Sequence, residues 1–252
     1  MKKNKDKKNK IVAASEEITD EKLEEFFEGS KLRLVLASCL VVVVLLSIVF
    51  SNYVLSNKLP LPEVTGGERG NLGIDKNINE ETIDNYLGRE DSVYRDMRML
   101  VDPGNYGAIG GDSYLSGFVK GFEVVPLPYI IPVKGLPEEV GDTYTGKTLF
   151  NLNEDNTYSA NYEESLKILE YYFPKDKKIF LMCGGGGYAG MMKKFLVSLG
   201  WNENNIYNTG GYWFYSGKNN VEVKRKIDDE VTYDFWKVTY HDIDFDSLHE
   251  VS

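Results

Sequence analysis

The chain has 252 residues, of which 42% are hydrophobic and 27% charged, so most of it is expected to fold rather than stay disordered. Its net charge is -10, and residues 1–33 hold nine Lys and Arg against eight Asp and Glu, which leaves the acidic excess to the rest of the chain. An acidic domain without a basic stripe repels phosphate, and nucleic acid is therefore excluded as an expected partner.

The first predicted element is a transmembrane helix at residues 34–55. The sequence LVLASCLVVVVLLSIVFSNYVL has 22 residues without a charge, and as a helix it is about 33 Å long, enough to cross a bilayer core. It also lacks the polar face that a surface helix of a soluble domain carries. The span predicts a single-pass protein of the cell membrane, preceded by a polar segment at residues 1–33.

The charges around the span predict its orientation. Lys31 and Arg33 precede it directly and six further lysines lie in the first ten residues, whereas only Lys58 and Arg69 follow closely. Basic residues accumulate on the cytoplasmic side, so the N-terminus is expected in the cytoplasm and the main domain outside. The tetrapeptide LASC resembles a lipoprotein processing box, but most of the apolar run follows Cys39, which makes lipidation the less favoured alternative.

Beyond the span, the sequence predicts a stalk, one domain and a C-terminal extension. Pro and Gly punctuate residues 56–73, as is typical of a flexible linker, and folding is expected to begin near Ile74. The domain is assigned to residues 74–217 and the extension to residues 218–252. Within the extension, β-branched and aromatic residues at 231–240 suggest an edge strand.

Strand and helix signals alternate within the predicted domain. A short helix is expected from Asn79 to Gly88, because Asn is a favoured cap and acidic residues follow it. Apolar residues at spacings of three and four predict helices at residues 162–173 and 188–199. Strands are predicted at residues 92–97, 122–126, 179–183 and 205–208. This alternation indicates an α/β domain with a mainly parallel central sheet flanked by helices.

A glycine-rich loop joins the strand at residues 179–183 to the next helix. Cys183 ends the strand, and the loop consists of Gly184, Gly185, Gly186, Gly187 and Tyr188. Ligands bind at the carboxyl edge of a parallel sheet, and convergent backbone N–H groups in such a loop form a cradle for an anion. The same N–H groups are expected to lower the pKa of the cysteine and make it nucleophilic.

Two other interpretations of Cys183 and its glycine loop do not require a nucleophilic thiol. Cys183 can be a small buried hydrophobe at a strand end. The glycines also satisfy G-x-G-x-x-G, but a dinucleotide motif normally opens a domain and meets an acidic residue at the next strand end, where this chain has Asn208. His241 and His249 lack Cys or His partners at metal-ligand spacing. The sequence therefore predicts no cofactor and no metal.

Four segments together resemble the rhodanese-like family of sulfurtransferases. Residues 93–98 (VYRDMR) look like the family strand that ends in Asp-x-Arg, and residues 117–122 (GFVKGF) are similar to its Gly-His-Ile-Pro-Gly-Ala segment. Residues 206–213 (IYNTGGYW) resemble its terminal strand and double-glycine turn. Cys183 then falls where the family has its active-site cysteine. The resemblance covers about residues 74–215 and implies a rhodanese-like fold of a membrane-anchored type.

The resemblance also implies a role for each matching residue. Cys183 would be the nucleophile that carries sulfane sulfur as a persulfide, and residues 184–188 would be the loop that binds the anion. Asp96 and Arg98 would support that loop from behind. The five residues between Cys183 and Ala189 match the loop length of sulfurtransferases rather than that of the related phosphatases.

The chain departs from the family pattern at the loop. The family commonly reads Cys-Arg-x-Gly-x-Arg-Ser, whereas Gly184 and Tyr188 stand here at the arginine positions, Ala189 at the serine and Phe118 at the histidine of the other segment. Because charge-assisted hydrogen bonds are lost, a doubly charged donor such as thiosulfate is expected to react slowly.

Two functions of different classes follow from these features. The first is a sulfurtransferase that takes sulfane sulfur from a donor onto Cys183 and passes it to a thiol or another nucleophile. The second is a catalytically silent rhodanese fold that binds or scaffolds another protein of the cell envelope. The cysteine and the loop length favour the enzyme, and the missing loop arginines favour the binding module.

Overall fold

The computed structural model describes residues 20–56, 59–67, 71–99, 117–133, 144 and 146–251. The chain divides into two compact units, Met1–Lys58 and Leu59–Ser252. The first unit contains one long helix, α1 (Asp20–Ser56). The second unit contains a mixed α/β fold.

Helix α1 contains a stretch, Gly29–Val49, that is long and apolar enough to span a membrane, with a mean hydropathy of 2.8. Within this stretch, the hydroxyls of Ser38 and Ser47 bond back to the helix, each donating to a backbone carbonyl of an earlier residue at 2.8 Å. Such internal bonds are what a polar group needs inside a bilayer. The predicted span at residues 34–55 lies within α1, which begins earlier than the span.

The second unit is built from short strands and three further helices in its described part. The strands are β1 (Ser92–Asp96), β2 (Gly117–Val119), β3 (Glu123–Val124), β4 (Phe150–Leu152), β5 (Tyr158–Ala160), β6 (Lys178–Cys183), β7 (Ile206–Gly211), β8 (Asn220–Glu222), β9 (Lys224–Ile227) and β10 (Glu230–Tyr233). The helices are α2 (Leu127–Ile130), α3 (Ser165–Tyr172) and α4 (Gly187–Ser198).

A four-stranded parallel sheet forms the centre of this unit, in the order β3-β1-β6-β7. These are the four strands that the sequence predicted, with ends displaced by a few residues. The helices expected at residues 162–173 and 188–199 are α3 and α4. The prediction of a mixed α/β domain with a mainly parallel sheet is thus confirmed.

The central strand β6 is buried on both faces because it has apolar layers on each side. Its alternate residues Ile179, Leu181 and Cys183 belong to one apolar cluster, which also contains buried residues of α3 and α4. Phe180 and Met182 belong to a second cluster on the opposite face. There the ring of Phe180 stacks between two tyrosines, Tyr94 of β1 and Tyr207 of β7, with centroid distances of 4.9 and 5.0 Å.

The helix expected between Asn79 and Gly88 is reduced to a single 3-10 turn, Ile83–Asn85. Side chains in this region bind the backbone and compete with helical hydrogen bonds. The Asp75 carboxylate accepts from the N–H of Ile78 at 2.6 Å, and the Thr82 hydroxyl donates to the carbonyl of Asn77 at 2.8 Å. Local side-chain bonds therefore override the capping signal.

The segment predicted as a stalk packs against the domain in its described part. Leu61 and Val64 contact the cluster around Phe180. The Tyr207 hydroxyl donates to the carbonyl of Pro62 at 2.6 Å, and the N–H of Thr65 donates to a carboxylate of the domain, also at 2.6 Å. The compact unit consequently begins at Leu59, ahead of the start at Ile74 that the sequence indicated.

The C-terminal extension pairs with the domain at several places. Strand β8 pairs with β2, and β9 forms an antiparallel hairpin with β10. Of the edge strand expected at residues 231–240, the first part belongs to this hairpin. The last part reaches the central sheet, where the N–H of Val124 of β3 donates to the carbonyl of Thr239 at 2.8 Å and Tyr240 forms an isolated parallel bridge with Val124. The remaining pair, β4 and β5, was not predicted.

Candidate functional site

Cys183 lies at the carboxyl end of β6, between the neighbouring strands β1 and β7. Its side chain is 3% exposed. The pairing of β6 with β7 is irregular here, because Leu181 pairs with Asn208 whereas Cys183 pairs with Gly211. Strand β7 thus contributes one extra residue, and such bulges change the direction of side chains beside functional sites.

Three backbone N–H groups converge on the sulfur of Cys183. The N–H of Gly186 donates to Sγ at 3.0 Å, and the N–H groups of Gly185 and Ala189 also bond to it. Gly186 has φ +97°, a left-handed conformation that is free of strain only for glycine. Helix α4 begins at the next residue, Gly187, so the positive end of its dipole lies at the loop that contacts the sulfur.

Burial nevertheless raises the pKa of the Cys183 thiol. The bonds from Ala189, Gly186 and Gly185 act in the opposite direction, while the negative charge of Asp96 adds to the rise. Removing a thiolate from water is costly, and here that cost outweighs the three N–H contacts. The pKa of the enclosed thiol is therefore shifted in the direction opposite to the one that the sequence predicted.

Asp96 and Arg98 form a buried ion pair at the end of β1, and both side chains have no exposed surface. The Arg98 guanidinium binds both carboxylate oxygens of Asp96, with Nε to Oδ1 at 2.9 Å and Nη2 to Oδ2 at 2.6 Å. It also donates to the carbonyl of Gly117 at 2.9 Å and lies over the rings of Phe118 and Tyr212, 4.2 and 5.0 Å from their centroids. The carboxylate of this pair is close enough for its charge to act on Cys183.

The double glycine at the end of β7 lies directly against the loop. A Cβ at Gly211 would collide with the carbonyl of Gly184, so only glycine permits this approach. The N–H of Trp213 donates to that same carbonyl at 3.1 Å. The six-membered ring of Trp213 lies 3.2 Å from the position that a Cβ of Gly185 would occupy. One wall of the loop is consequently an indole ring.

Asn208 is a site residue that the sequence did not reveal. Its Nδ2 donates to the carbonyls of Gly186 and Leu72, at 3.1 and 2.9 Å, and its Oδ1 accepts from the N–H of Gly210 at 3.0 Å. These three hydrogen bonds of the buried amide hold the left-handed turn at Gly186 against β7 and against Leu72, which lies before β1. A polar residue at the end of a predicted strand was the only available signal, and it does not specify these partners.

The segment before β1 supplies the floor of the loop. The side chain of Ile74 approaches within 2.9 Å of the position that a Cβ of Gly186 would occupy. A Cβ at Gly190 would collide with the carbonyl of Leu72, so this glycine allows the segment to pack closely on α4. Close packing explains the third glycine of the G-x-G-x-x-G pattern without a dinucleotide.

The structure brings the predicted site residues to one edge of the sheet. Gly185 and Gly186 contact the sulfur, Gly184 binds the double-glycine turn, and Gly187 opens α4. Tyr188 is buried, 3% exposed, in the same apolar cluster as Cys183. Ala189, which replaces the serine of the rhodanese-like loop pattern, contributes a backbone N–H to the sulfur.

Comparison with known proteins leaves the rhodanese-like assignment as an expectation. No protein-family model, no curated protein and no solved structure matches this chain.

Proposed function

We propose that this chain is a membrane-tethered, rhodanese-like sulfurtransferase that carries sulfane sulfur as a persulfide on Cys183. The observation that supports this function most directly is the convergence of the N–H groups of Gly185, Gly186 and Ala189 on Sγ. A ring of N–H donors at the carboxyl edge of a parallel sheet suits a sulfur anion, and it suits the terminal sulfur of a persulfide equally well.

The proposed reaction has two displacement steps and needs no external oxidant or reductant. In the first, the Cys183 thiolate attacks the outer sulfur of a donor R–S–SH, the donor S–S bond breaks, and R–S⁻ leaves with the electron pair. The product is Cys183–S–SH. In the second, an acceptor thiolate attacks that outer sulfur, the new S–S bond breaks, and the Cys183 thiolate is regenerated. The loop N–H groups offset part of the cost of forming the buried thiolate in each step.

The same proposal places the domain on the outer side of the cell membrane. Helix α1 is long and apolar enough to cross a bilayer, and Lys31 and Arg33 lie at the start of its apolar part. The positive-inside rule then assigns the N-terminus to the cytoplasm. The donor and the acceptor would be molecules of the cell envelope.

A binding or scaffold module is the second candidate, and one observation favours it. Cys183 is 3% exposed with a raised pKa, and the loop carries no charged side chain. In this second candidate, the thiol of Cys183 is a packing residue without a chemical role. The fold then serves to bind a partner protein of the cell envelope.

Intact-protein mass spectrometry of the full-length chain separates the two candidates. After exposure to a low-molecular-weight thiol persulfide, the purified protein should gain the mass of one sulfur atom, and an acceptor thiol should then remove it. The chain has two cysteines, Cys39 and Cys183, which provide a matched pair of variants. Cys183→Ser should abolish the gain, whereas Cys39→Ser should keep it. A folded protein that accepts no sulfur would leave the binding module as the better description.

A further inference from the structure

Trp213 forms a half-exposed apolar edge beside the sulfur-carrying loop. Its backbone N–H is bonded to the carbonyl of Gly184, which fixes the residue to the loop, and its side chain is 45% exposed. Cε3 and Cζ3 are the ring atoms nearest to the position that a Cβ of Gly185 would occupy, so the hydrocarbon part of the indole, rather than its N–H, lies against the loop. Gly185 in turn donates its N–H to the Cys183 sulfur.

The loop beside this edge offers no positively charged side chain to an anionic donor. The loop residues from Gly184 to Tyr188 have no charged side chain. The guanidinium of Arg98 is fully buried and is paired with the carboxylate of Asp96 at 2.6 Å. An aromatic edge attracts polarisable sulfur, but it cannot replace the charge-assisted hydrogen bonds that a sulfonate group needs.

We propose that Trp213 is a specificity-determining residue that selects thiol-borne persulfides over doubly charged oxyanion donors such as thiosulfate. The proposal rests on the sulfur-carrying function of Cys183. With a thiol persulfide, the leaving group is a thiolate whose carbon side can lie against the indole. With thiosulfate, the Cys183 thiolate attacks the sulfane sulfur, the S–S bond breaks, and sulfite leaves with the electron pair. This leaving group has two negative charges and no carbon side that can lie against the indole.

The test measures the rate of Cys183 persulfide formation from each donor and compares the ratio of the two rates among variants. Full-length protein is treated with a thiol persulfide or with thiosulfate, and the gain of one sulfur is followed by mass spectrometry. Trp213→Arg introduces a guanidinium beside Gly185 and should shift the ratio toward thiosulfate by at least about tenfold, which corresponds to about 1.4 kcal/mol. Trp213→Phe keeps an aromatic edge and should retain the ratio of the natural chain.

Two further variants keep the test informative. Trp236 is 81% exposed and follows β10, so Trp236→Arg adds the same charge elsewhere on the domain and should not change the ratio. Trp213→Gln removes the apolar edge without adding a charge and should shift the ratio in the same direction as Trp213→Arg, but less. It replaces the arginine variant if that variant does not fold.

The outcomes separate this inference from the function on which it rests. An unchanged ratio in both Trp213→Arg and Trp213→Gln overturns the role of Trp213 while leaving the sulfurtransferase intact. An equal shift in Trp236→Arg overturns it too, because net charge rather than the edge would then decide. A natural chain that is folded but accepts sulfur from neither donor overturns the proposed function, and the inference with it.

Discussion

The buried pair of Asp96 and Arg98 is the residue-scale feature with the clearest energetic consequence. Both side chains have no exposed surface, and each is the other's bidentate partner. Arg98→Ala should lower the free energy of unfolding by about 3–5 kcal/mol, because the carboxylate of Asp96 stays buried without its guanidinium. Denaturant titration of the full-length chain, followed by tryptophan fluorescence, measures this loss.

A double variant and a surface control define the cause of that loss. Asp96→Asn combined with Arg98→Met leaves no buried charge and should recover part of the stability lost in Arg98→Ala. Lys226→Ala removes an ion pair with Asp229, whose side chains are 63% and 94% exposed, and should leave the free energy of unfolding nearly unchanged. If Arg98→Ala changed the free energy of unfolding as little as Lys226→Ala, the buried pair would not stabilise the domain.

At the residue scale, the sequence predicted where Asp96, Arg98 and Cys183 lie in the fold better than it predicted the pKa of the cysteine. The Asp-x-Arg spacing identified Asp96 and Arg98, and the strand end identified Cys183. The raised pKa of Cys183 was not predictable, because it depends on burial by residues far along the chain and on the charge of Asp96 on the neighbouring strand.

At the scale of elements, β6, its glycine loop and α4 together form the candidate site around Cys183. Gly186 and Gly187 are adjacent in this loop, but only Gly187 has room for the Cβ of a larger residue. Gly186 has φ +97°, and a Cβ there would meet the Ile74 side chain at 2.9 Å. Gly187 is the first residue of α4, and a Cβ there would meet only Leu72, at an ordinary 3.9 Å. The two positions form a matched pair for mutation.

Gly186→Ala should lower the free energy of unfolding by about 1–2 kcal/mol, the cost of a left-handed conformation for a residue with a Cβ. It should also slow persulfide formation on Cys183, since the N–H of Gly186 is the donor placed 3.0 Å from the sulfur. Gly187→Ala should change the free energy of unfolding by less than about 0.5 kcal/mol. Denaturant titration and the sulfur-transfer assay measure both effects, and equal behaviour of the two variants would contradict this geometry of the loop.

At the scale of the whole molecule, the chain combines one apolar helix with one compact α/β unit. Trypsin added to intact cells should cleave near Lys58, ahead of the compact unit that begins at Leu59, and release the domain. A tag at the N-terminus should stay protected, because the basic residues before the apolar stretch assign that end to the cytoplasm. Immunoblotting of both ends measures the result.

Lysed cells are the control for this topology, since both ends are then accessible to the protease. A domain that resists trypsin in intact cells but not after lysis would reverse the predicted orientation.

The compact unit also defines where a soluble fragment should start. It has to include Leu61 and Pro62, which contact the Phe180 cluster and Tyr207, and therefore begins at Leu59 rather than at Ile74.

The sequence by itself determined the parallel α/β architecture, the apolar helix and the place of Cys183 before a glycine loop. These features depend on periodicity, apolar runs and glycine spacing, which are local properties of the chain. Only the tertiary structure decided the contacts of Asn208 with the loop, the indole edge at Gly185 and the packing of residues 59–67 on the domain. Each of these joins residues that lie far apart in sequence, and their geometry is set by how the strands and turns pack, which no local pattern encodes.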